Sequence, residues 1–336
     1  MQNHETIRPF SEAAKVSCRG RSRRLELALI DFGADHSFKQ AVEKLKRHYD
    51  VEVCESTSRL DVYKHTESMR TADYALSGKP TSEAATIISE FDGGMVPTVK
   101  QKDPLFVGDQ RKNKLYEWRE ARLALAYAKG EVDPIYSAKF GTPDEIGNMV
   151  KATVDRIGRG DRTKIHFVGD GAVWITEQVE DKFGDDAYYM LDFFHASEYV
   201  SAAAKCCSPE DVEQWSKTQK SNLKSGDTKT LFAALNSHTS QCTLKHDCPA
   251  FKCHEYLIKR TKQLDYKAAI EAGLPIGSGK IEGGIRSVLH ERLKKSGSWW
   301  KAENAQKMMH LRTVVANKKL DAYGKDLRSG AIRPLS

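Results

Sequence analysis

The chain has 336 residues, of which 40% are hydrophobic, so it is long enough to bury a sizeable core and is not disordered throughout. No apolar run approaches the roughly 18 residues of a membrane helix, and the first residues contain no apolar signal core. We therefore expect a cytoplasmic protein with no membrane partner. The net charge is +7, and the excess lies at the C-terminal end, where residues 276–336 carry 13 Lys and Arg against five Asp and Glu. This charge permits a polyanionic partner but does not require one.

Helical patterns dominate the first 80 residues. Residues 38–48 place their apolar side chains on one helical face, and residues 56–69 form a second helical pattern after a short break. Two helices joined in this way are typical of a helix-turn-helix that binds DNA, although a helical hairpin packed on the main domain has the same pattern. The turn-rich residues 77–82 mark the end of this region.

Strand patterns begin after this boundary. Ile87 and Ile88 begin a predicted strand that reaches Phe91 and is followed by Asp92. The two glycines after Asp92, with Pro97, predict a hairpin whose second strand is 95–100. Residues 116–127 fit either a third strand or a helix, and residue propensity favours the helix. A further helix is predicted from Thr142 to the glycines at 158 and 160.

A strand, a helix and a second strand follow one another in residues 164–195. The apolar run 165–168 ends at Asp170, which lies between two glycines, and the apolar run 188–191 ends at Asp192 and His195. This βαβ pattern places acidic residues at the carboxyl ends of strands, where open α/β sheets hold their functional sites.

Residues 196–275 contain helical patterns and few strand signals, so we predict a helical insertion. The insertion contains a group of metal-binding residue types, namely Cys242, His246, Cys248, Cys253 and His254. Their spacing is not that of a standard zinc site, which favours ordinary buried or free cysteines over zinc ligands.

A glycine-rich stretch at 273–284 contains Glu282 and leads into a basic helix at 285–295, and another helix follows at 300–320. Asp92, Asp170 and Glu282 thus have comparable surroundings, beside glycines and at the ends of predicted elements. Three carboxylates are hard oxygen ligands that suit a pair of Mg²⁺ or Mn²⁺ ions acting on a phosphodiester. Taken alone, each of these acids would usually be interpreted as a helix cap or a solvated turn residue.

The order of these elements resembles that of the DDE transposases, which have a ribonuclease-H-like core. Individual sequence motifs resemble even more closely those of the Kra-type transposases of bacterial insertion sequences. This resemblance extends from about residue 30 to residue 318 and is carried by the segments DFGADHSF, AVEKLKRHYDVEV, FDGGM, VGDGAVWI, LDFFHASEYV and GLPIGSGKIEGGIRSVLHERLKKSGSWW.

The resemblance implies a ribonuclease-H-like mixed sheet with flanking helices, a helical insertion before the catalytic Glu and an N-terminal helical region. The corresponding boundaries are 1–80 for the helical, probable helix-turn-helix region, 84–195 for the first part of the core, 196–275 for the insertion, 276–320 for the Glu helix and C-terminal helices, and 321–336 for a tail.

The resemblance also implies roles for individual residues. Asp92, Asp170 and Glu282 take the positions of the catalytic acids that bind Mg²⁺ or Mn²⁺. Asp192 and His195 match a signature found between the second Asp and the Glu, and we assign them supporting roles. For Asp192 the alternative is a metal ligand, and for His195 it is a satisfied core histidine.

Several basic and aromatic residues near the Glu helix are candidates for contact with DNA. They are Arg286, Arg292, Lys294, Lys295, Trp299 and Trp300. A solvated helix end explains Arg292, Lys294 and Lys295 equally well, and Arg286 could instead pair with an acid. Core packing is the commoner place for tryptophan.

Together these inferences predict a transposase that cleaves DNA strands of an insertion sequence and transfers them to a target in a metal-dependent reaction. Its partner is double-stranded DNA, at the transposon ends and at the target, and we expect a homo-oligomer on DNA, in a bacterial cytoplasm and associated with the nucleoid. The alternatives are a transposase-derived DNA-binding protein without catalysis and a DNA nuclease with a ribonuclease H fold.

Overall fold

A five-stranded mixed sheet organises the computed structural model, which describes residues 21–332 except 79, 81 and 241–246. The strands are β1 (Thr86–Gln101), β2 (Lys114–Ala128), β3 (Ile135–Lys139), β4 (Lys164–Gly169) and β5 (Ala187–Leu191). Their spatial order is β3-β2-β1-β4-β5, in which β2 is antiparallel to β1 and β3, whereas β4 is parallel to β1 and β5. This arrangement is ribonuclease-H-like, and the predicted fold class is confirmed.

Helices precede the sheet, flank it, and fill the segment between β5 and Glu282. They are α1 (Arg23–Asp35), α2 (Phe38–Tyr49), α3 (Glu55–Thr71), α4 (Pro143–Gly158), α5 (Val173–Phe183), α6 (Phe193–Cys207), α7 (Val212–Ser225), α8 (Thr228–Thr239), α9 (Pro249–Ile258), α10 (Tyr266–Glu271), α11 (Gly279–Gly284), α12 (Glu291–Leu293), α13 (Ala302–Ala316) and α14 (Leu320–Ser329). A π-helical segment, Ile285–His290, joins α11 to α12 without a break, and we call the three segments together the Glu282 helix.

Strand β1 corrects one prediction, because it continues straight through Gly93 and Gly94 where the sequence suggested a hairpin. Only its first five residues pair with β4, whereas residues 87–101 all pair with β2, so that the second half of β1 and the first half of β2 form a two-stranded ribbon. The glycines serve a different purpose. A Cβ atom at Gly94 would lie 2.9 Å from Cγ2 of Ile285, so the glycine allows the Glu282 helix to approach the strand.

Strand β2 corrects a second prediction, because residue propensity favoured a helix for 116–127. It lies between β1 and β3 and is hydrogen-bonded along both edges. Five consecutive residues of its second half, Leu123–Tyr127, are buried. Backbone pairing and burial on both sides therefore override the propensity of its Ala, Leu, Arg and Glu residues. The short strand β3 was not predicted at all.

The two faces of the sheet have different coverings. Ile87 and Phe91 face a core shared with α4 and α5, whereas Ile88 faces a core shared with the N-terminal and C-terminal helices. Because side chains alternate along a strand, Glu90 and Asp92 share the face of Ile88. The acidic residues of β1 therefore point towards the side on which the Glu282 helix packs.

The N-terminal helices belong to this second core. Ile30 of α1, Phe38 of α2 and Val62 of α3 are buried in the same cluster as Met308 of α13 and Tyr323 of α14. Both predicted helices are present, at α2 and α3, and α1 precedes them. A role for these helices in DNA binding stays a prediction. Within the described residues, no helix has the length and apolar character needed to cross a membrane.

The joint between the N-terminal and C-terminal helices contains a buried histidine and should make stability depend on pH. His65 of α3 is hydrogen-bonded through Nδ1 to the hydroxyl of Tyr323 at 2.8 Å, and burial lowers its pKa from 6.5 to about 4. Because the pKa is lowered, the contribution of His65 to the stability of the fold is complete above pH 6.5 and is lost as the pH falls towards 4. The shift corresponds to about 3 kcal/mol in the free energy of unfolding.

The measurement is urea unfolding at a series of pH values for the parent chain, His65→Gln and the exposed control His48→Gln. We expect the parent and the His48 variant to lose stability in parallel between pH 6.5 and 4, and the His65 variant to lose about 3 kcal/mol less over that range. Identical pH profiles for all three chains would show that His65 does not titrate as described.

Candidate active site

The three predicted acids come from separate elements that meet at one edge of the sheet. The parallel pairing of β1 with β4 ends at Glu90 opposite Val168, so Asp92 and Asp170 each lie two residues beyond the last pair. Glu282 lies in the first turn of α11, which packs against β1 and β2. Two strands and one helix thus bring Asp92, Asp170 and Glu282 to a common region.

The electrostatics of Asp92 show that these acids affect one another. The pKa of Asp92 is raised to about 6, mainly by burial and also by the negative charges of Asp170, Glu120 and Glu282, against a hydrogen bond from the Gly93 amide that lowers it. The oxygens of Asp92, Asp170 and Glu282 do not all lie within 4.8 Å of one another. The site therefore concentrates negative charge on hard oxygen donors, and this donor set fits Mg²⁺ or Mn²⁺.

The loop that carries Asp170 is held by the helical insertion. The hydroxyl of Tyr256, in α9, donates a hydrogen bond to the main-chain oxygen of Asp170 at 2.5 Å, and Nη2 of Arg260 donates one to the oxygen of Gly171 at 2.8 Å. Gly171 has φ +82°, and a Cβ atom there would meet both Tyr256 and Arg260. Glycine is needed at this position for its conformation and for the close approach of the insertion.

Asp192 joins the end of β5 to the start of the Glu282 helix. It is 3% exposed, and its Oδ1 accepts a hydrogen bond from the His195 amide at 2.8 Å, which caps α6. Its Oδ2 accepts hydrogen bonds from the amide and the hydroxyl of Ser278, each at 2.5 Å. Since Ser278 immediately precedes α11, Asp192 fixes the point from which the Glu282 helix begins.

His195 lies beside the same region, half-buried in a group of aromatic rings. Its ring centre is 5.7 Å from that of Tyr199 and 5.8 Å from that of Tyr256, and its Nδ1 lies 3.9 Å from a carboxylate oxygen of Glu198. It is therefore adjacent to Tyr256, whose hydroxyl holds the Asp170 loop. Its predicted supporting role in catalysis stays a prediction.

Glu90 is a fourth acid at this site, and the sequence interpretation missed it. It is 1% exposed, and its Oε2 accepts a hydrogen bond from the Ile281 amide at 2.9 Å, next to Glu282. Burial raises its pKa to about 7, and the charges of Asp192 and Glu282 contribute to this shift. The signal was present in the sequence, because an acid two residues before Asp92 on a strand must lie on the same face.

The Glu282 helix is irregular where it passes β1. Its central six residues, Ile285–His290, form a π-helix, an uncommon conformation that is frequent at functional sites. Arg286 is exposed on this segment, whereas Ile285 and Leu289 are buried. The wider turn lets the helix bury these apolar residues while Glu282 and Arg286 remain on the accessible side.

Two of the residues predicted to contact DNA are buried, and the prediction is corrected for both. Arg292 is 2% exposed and donates a hydrogen bond from Nε to the oxygen of Gly33 at 2.9 Å, with its guanidinium over the rings of Phe38 and Trp300. Trp300 is 7% exposed and donates from its indole nitrogen to the oxygen of Leu293. Both residues join the C-terminal segment to its neighbours and are inaccessible to a duplex.

The remaining candidates border the ribbon of β1 and β2. Trp299 is 41% exposed, and its ring centre lies 4.8 Å from that of Tyr116 and 6.0 Å from that of Trp118, both of which are also exposed. Lys294 is exposed with its amine 5.4 Å from the ring centre of Trp118, and Lys295 is half-buried. Tyr116, Trp118, Lys294 and Trp299 form an accessible aromatic and basic surface, which we call the ribbon surface.

The strand order and the acids at the sheet edge define a ribonuclease-H-like α/β protein with a carboxylate site. The chain belongs to the uncharacterised protein family UPF0236, whose model matches residues 154–329. This match includes Asp170 and Glu282, whereas Asp92 precedes it.

No curated protein matches the chain. Among solved structures, the chain is similar to a Drosophila P element transposase strand transfer complex, with 12% sequence identity and a TM-score of 0.37. The similarity covers 93% of this chain and 82% of that chain.

Proposed function

We propose that this protein is a transposase that cleaves DNA and joins the cut ends to a target, with Asp92, Asp170 and Glu282 as its catalytic acids. The observation that carries the proposal is the grouping of these acids at the edge of a ribonuclease-H-like sheet, where burial and the negative charges of Asp170, Glu120 and Glu282 raise the pKa of the half-buried Asp92. The resemblance to Kra-type transposases extends the proposal to bacterial insertion sequences and to a cytoplasmic protein associated with the nucleoid.

The three carboxylates would hold two Mg²⁺ or Mn²⁺ ions, which when bound activate the attacking oxygen and stabilise the leaving oxygen of a phosphodiester. The role of the protein itself is to position the three acids. Tyr256 and Arg260 fix the Asp170 loop, and Asp192 and Glu90 fix the start of the Glu282 helix. Because these contacts are buried or half-buried, the acids keep their relative positions before DNA binds.

The surface around the acids supports a DNA partner. Arg286 is exposed one helical turn after Glu282, and the ribbon surface presents Lys294 and Trp299 nearby in the chain. Lysine and arginine bind phosphates, whereas exposed aromatic rings stack on unpaired bases. A transposase needs both functions, since it handles duplex ends and single strands at the cut. Assembly as a homo-oligomer on DNA is part of the same proposal.

The test is an assay in which the purified protein acts on a donor plasmid carrying the ends of its own element, with a second plasmid as target. A transposase produces cleavage at the ends and joining to the target, both dependent on Mg²⁺ or Mn²⁺. Cleavage without joining would indicate a nuclease of the same fold. Binding without cleavage in either ion would indicate a DNA-binding protein that has lost catalysis, and either outcome would overturn the proposal.

Lys294 on the ribbon surface, together with its sequence neighbour Lys295, gives a separate prediction for DNA binding. Replacing Lys294 and Lys295 with Gln should weaken binding to all duplex sequences alike and reduce the slope of log K against log salt by about 2, because each lysine that contacts a phosphate releases about one counterion. The measurement is fluorescence anisotropy of labelled duplexes between low and moderate salt.

A matched control removes two positive charges elsewhere. Arg162 and Lys164 are exposed at the start of β4, at the end of the strand opposite to Asp170. Arg162→Gln with Lys164→Gln should leave the salt slope within experimental error of the parent. If both double variants reduce the slope equally, the charge acts through the overall field and the ribbon surface is not the contact.

A further inference from the structure

Four of the five cysteines that the structure describes gather in the helical insertion, far from the fifth in the sequence. They are Cys206, Cys207, Cys248 and Cys253, and all are reduced. Cys206 and Cys207 end α6, Cys248 occupies the N-cap position of α9, and Cys253 lies one turn further along α9. The thiol of Cys206 donates a hydrogen bond to the main-chain oxygen of Ala203 at 3.1 Å and lies close enough to the thiols of Cys207 and Cys248 for them to affect its pKa.

A histidine from a third helix completes this group. His238 lies at the C-terminal end of α8, and its ring nitrogen, Sγ of Cys206 and Sγ of Cys248 all lie within 4.8 Å of one another. The three ligand atoms thus come from the ends of three different helices. In a tetrahedral zinc site two sulfur ligands stand about 3.8 Å apart, given Zn–S bonds of about 2.3 Å. The present spacing reaches that geometry with shifts of about 1 Å or less.

We propose that Cys206, His238 and Cys248 bind one Zn²⁺ ion that joins the ends of α6, α8 and α9. Two thiolates and an imidazole are the ligands that zinc prefers, whereas Mg²⁺ and Ca²⁺ prefer oxygen. The two thiol protons pass to solvent when the ion binds. The fourth tetrahedral position is open to water or to the thiol of Cys207, which already contacts Cys206.

This ligand set differs from the one considered in the sequence. Cys242 and His246 lie outside the described residues, whereas Cys253 and His254 lie further along α9. The sequence spacing gave no sign of the site, because Cys206 and His238 are separated by α7 and most of α8 and approach each other only through the packing of α6, α8 and α9.

The insertion has reason to need such an ion. Its helices share one core cluster, which includes Leu231, Leu235 and Cys253. The same helix α9 that begins at Cys248 carries Tyr256, which holds the Asp170 loop of the candidate active site. An ion at the N-terminus of α9 would therefore stabilise the element that positions Asp170. The zinc site is independent of the proposed function and holds whether or not the protein is a transposase.

The first test measures metal in the protein purified from zinc-supplemented medium under reducing conditions. We expect one zinc ion per chain by elemental mass spectrometry. With Co²⁺ in place of zinc, we expect the intense visible absorption of tetrahedral cobalt and a near-ultraviolet thiolate-to-cobalt band. Absence of metal, or a bound metal other than zinc, would overturn the proposal, as would a disulfide between Cys206 and Cys248 in the freshly purified chain.

Single variants identify the ligands. Cys206→Ser, Cys248→Ser and His238→Asn should each weaken zinc binding by more than about 100-fold, since even changes outside the ligand shell cost 10- to 100-fold. Cys54→Ser is the control, because Cys54 is exposed at the start of α3 and should have no effect on binding. Cys207→Ser decides between water and Cys207 at the fourth position. Equal losses in the Cys54 variant and the ligand variants would overturn the assignment.

A measurement on the unaltered protein covers the case in which a ligand variant does not fold. A zinc chelator should lower the melting temperature and make Cys206 and Cys248 reactive towards iodoacetamide, as mapped by peptide mass spectrometry. Restoring zinc should reverse both effects. If the alkylation of these two cysteines is unchanged by chelator and by zinc, they are not zinc ligands.

Discussion

Asp170→Asn should abolish DNA cleavage and joining while leaving DNA binding intact. Asparagine keeps the size of the side chain and can still accept the hydrogen bond that Oδ1 of Asp170 takes from the Ala172 amide at 2.9 Å. It removes the negative charge on which a hard divalent cation depends. Since metal-assisted stabilisation is worth several kcal/mol, and each 1.36 kcal/mol is tenfold in rate, we expect a loss of at least about 1,000-fold. The measurement is strand cleavage in Mg²⁺ beside a gel-shift assay.

The controls test whether the effect depends on which carboxylate loses its charge. Glu282→Gln and Asp92→Asn should have effects of similar size if the three acids act together, and double variants should lose little more than single ones. Asp185→Asn makes the same chemical change at an exposed residue after α5 and should retain full activity. Cleavage of donor DNA by the Asp170 variant at near the parent rate would refute the role of Asp170 and the proposed mechanism with it.

Asp192→Ala should destabilise the fold more than the loss of any other helix cap considered in this chain. The substitution leaves the His195 amide and both the amide and hydroxyl of Ser278 without their acceptor in a buried place. The loss of a cap and of hydrogen bonds to a charged group together predict a decrease of about 3–5 kcal/mol in the free energy of unfolding. Asp192→Asn should retain the cap of α6, lose part of the Ser278 contact, and leave partial activity.

Asp211→Ala is the matched comparison, since Asp211 caps α7 through the Gln214 amide at 3.3 Å in an exposed position. It should lower the free energy of unfolding by about 1 kcal/mol. Chemical unfolding of both variants gives the answer. If the two aspartates cost the same, Asp192 acts only as a cap, and the contact with Ser278 does not hold the start of the Glu282 helix.

The parts of the fold that local sequence determines were predictable. The strand β4, the helix α5 and the strand β5 have clear apolar periodicity and glycine boundaries, and they occur where the pattern indicated. β2 was not predictable in this way. Its helix-favouring residues form a strand because β1 and β3 bond to both edges, and that pairing is a property of the whole sheet.

Local sequence could likewise identify some residues of the candidate site but not others. Asp92, Asp170 and Glu282 could be selected because each stands beside glycines. Glu90 was passed over, although its spacing from Asp92 places both on one face. Arg292 could not be recognised as buried, because its partners Gly33 and Phe38 come from the other end of the chain. A basic residue next to two lysines gives no local sign of a hydrogen-bonded place in the core.

The core shared by the N-terminal and C-terminal helices has a consequence for how the protein is made. Ile30 and Phe38 are synthesised long before the side chains that cover them, such as Met308 and Tyr323. Contacts between residues so far apart in sequence form slowly and leave apolar surface exposed until the later partner has been synthesised. Glu282 also lies far along the chain from Asp92 and Asp170. We therefore expect that a chain that stops before Met308 has no assembled acid site and exposes apolar surface that makes it prone to aggregation.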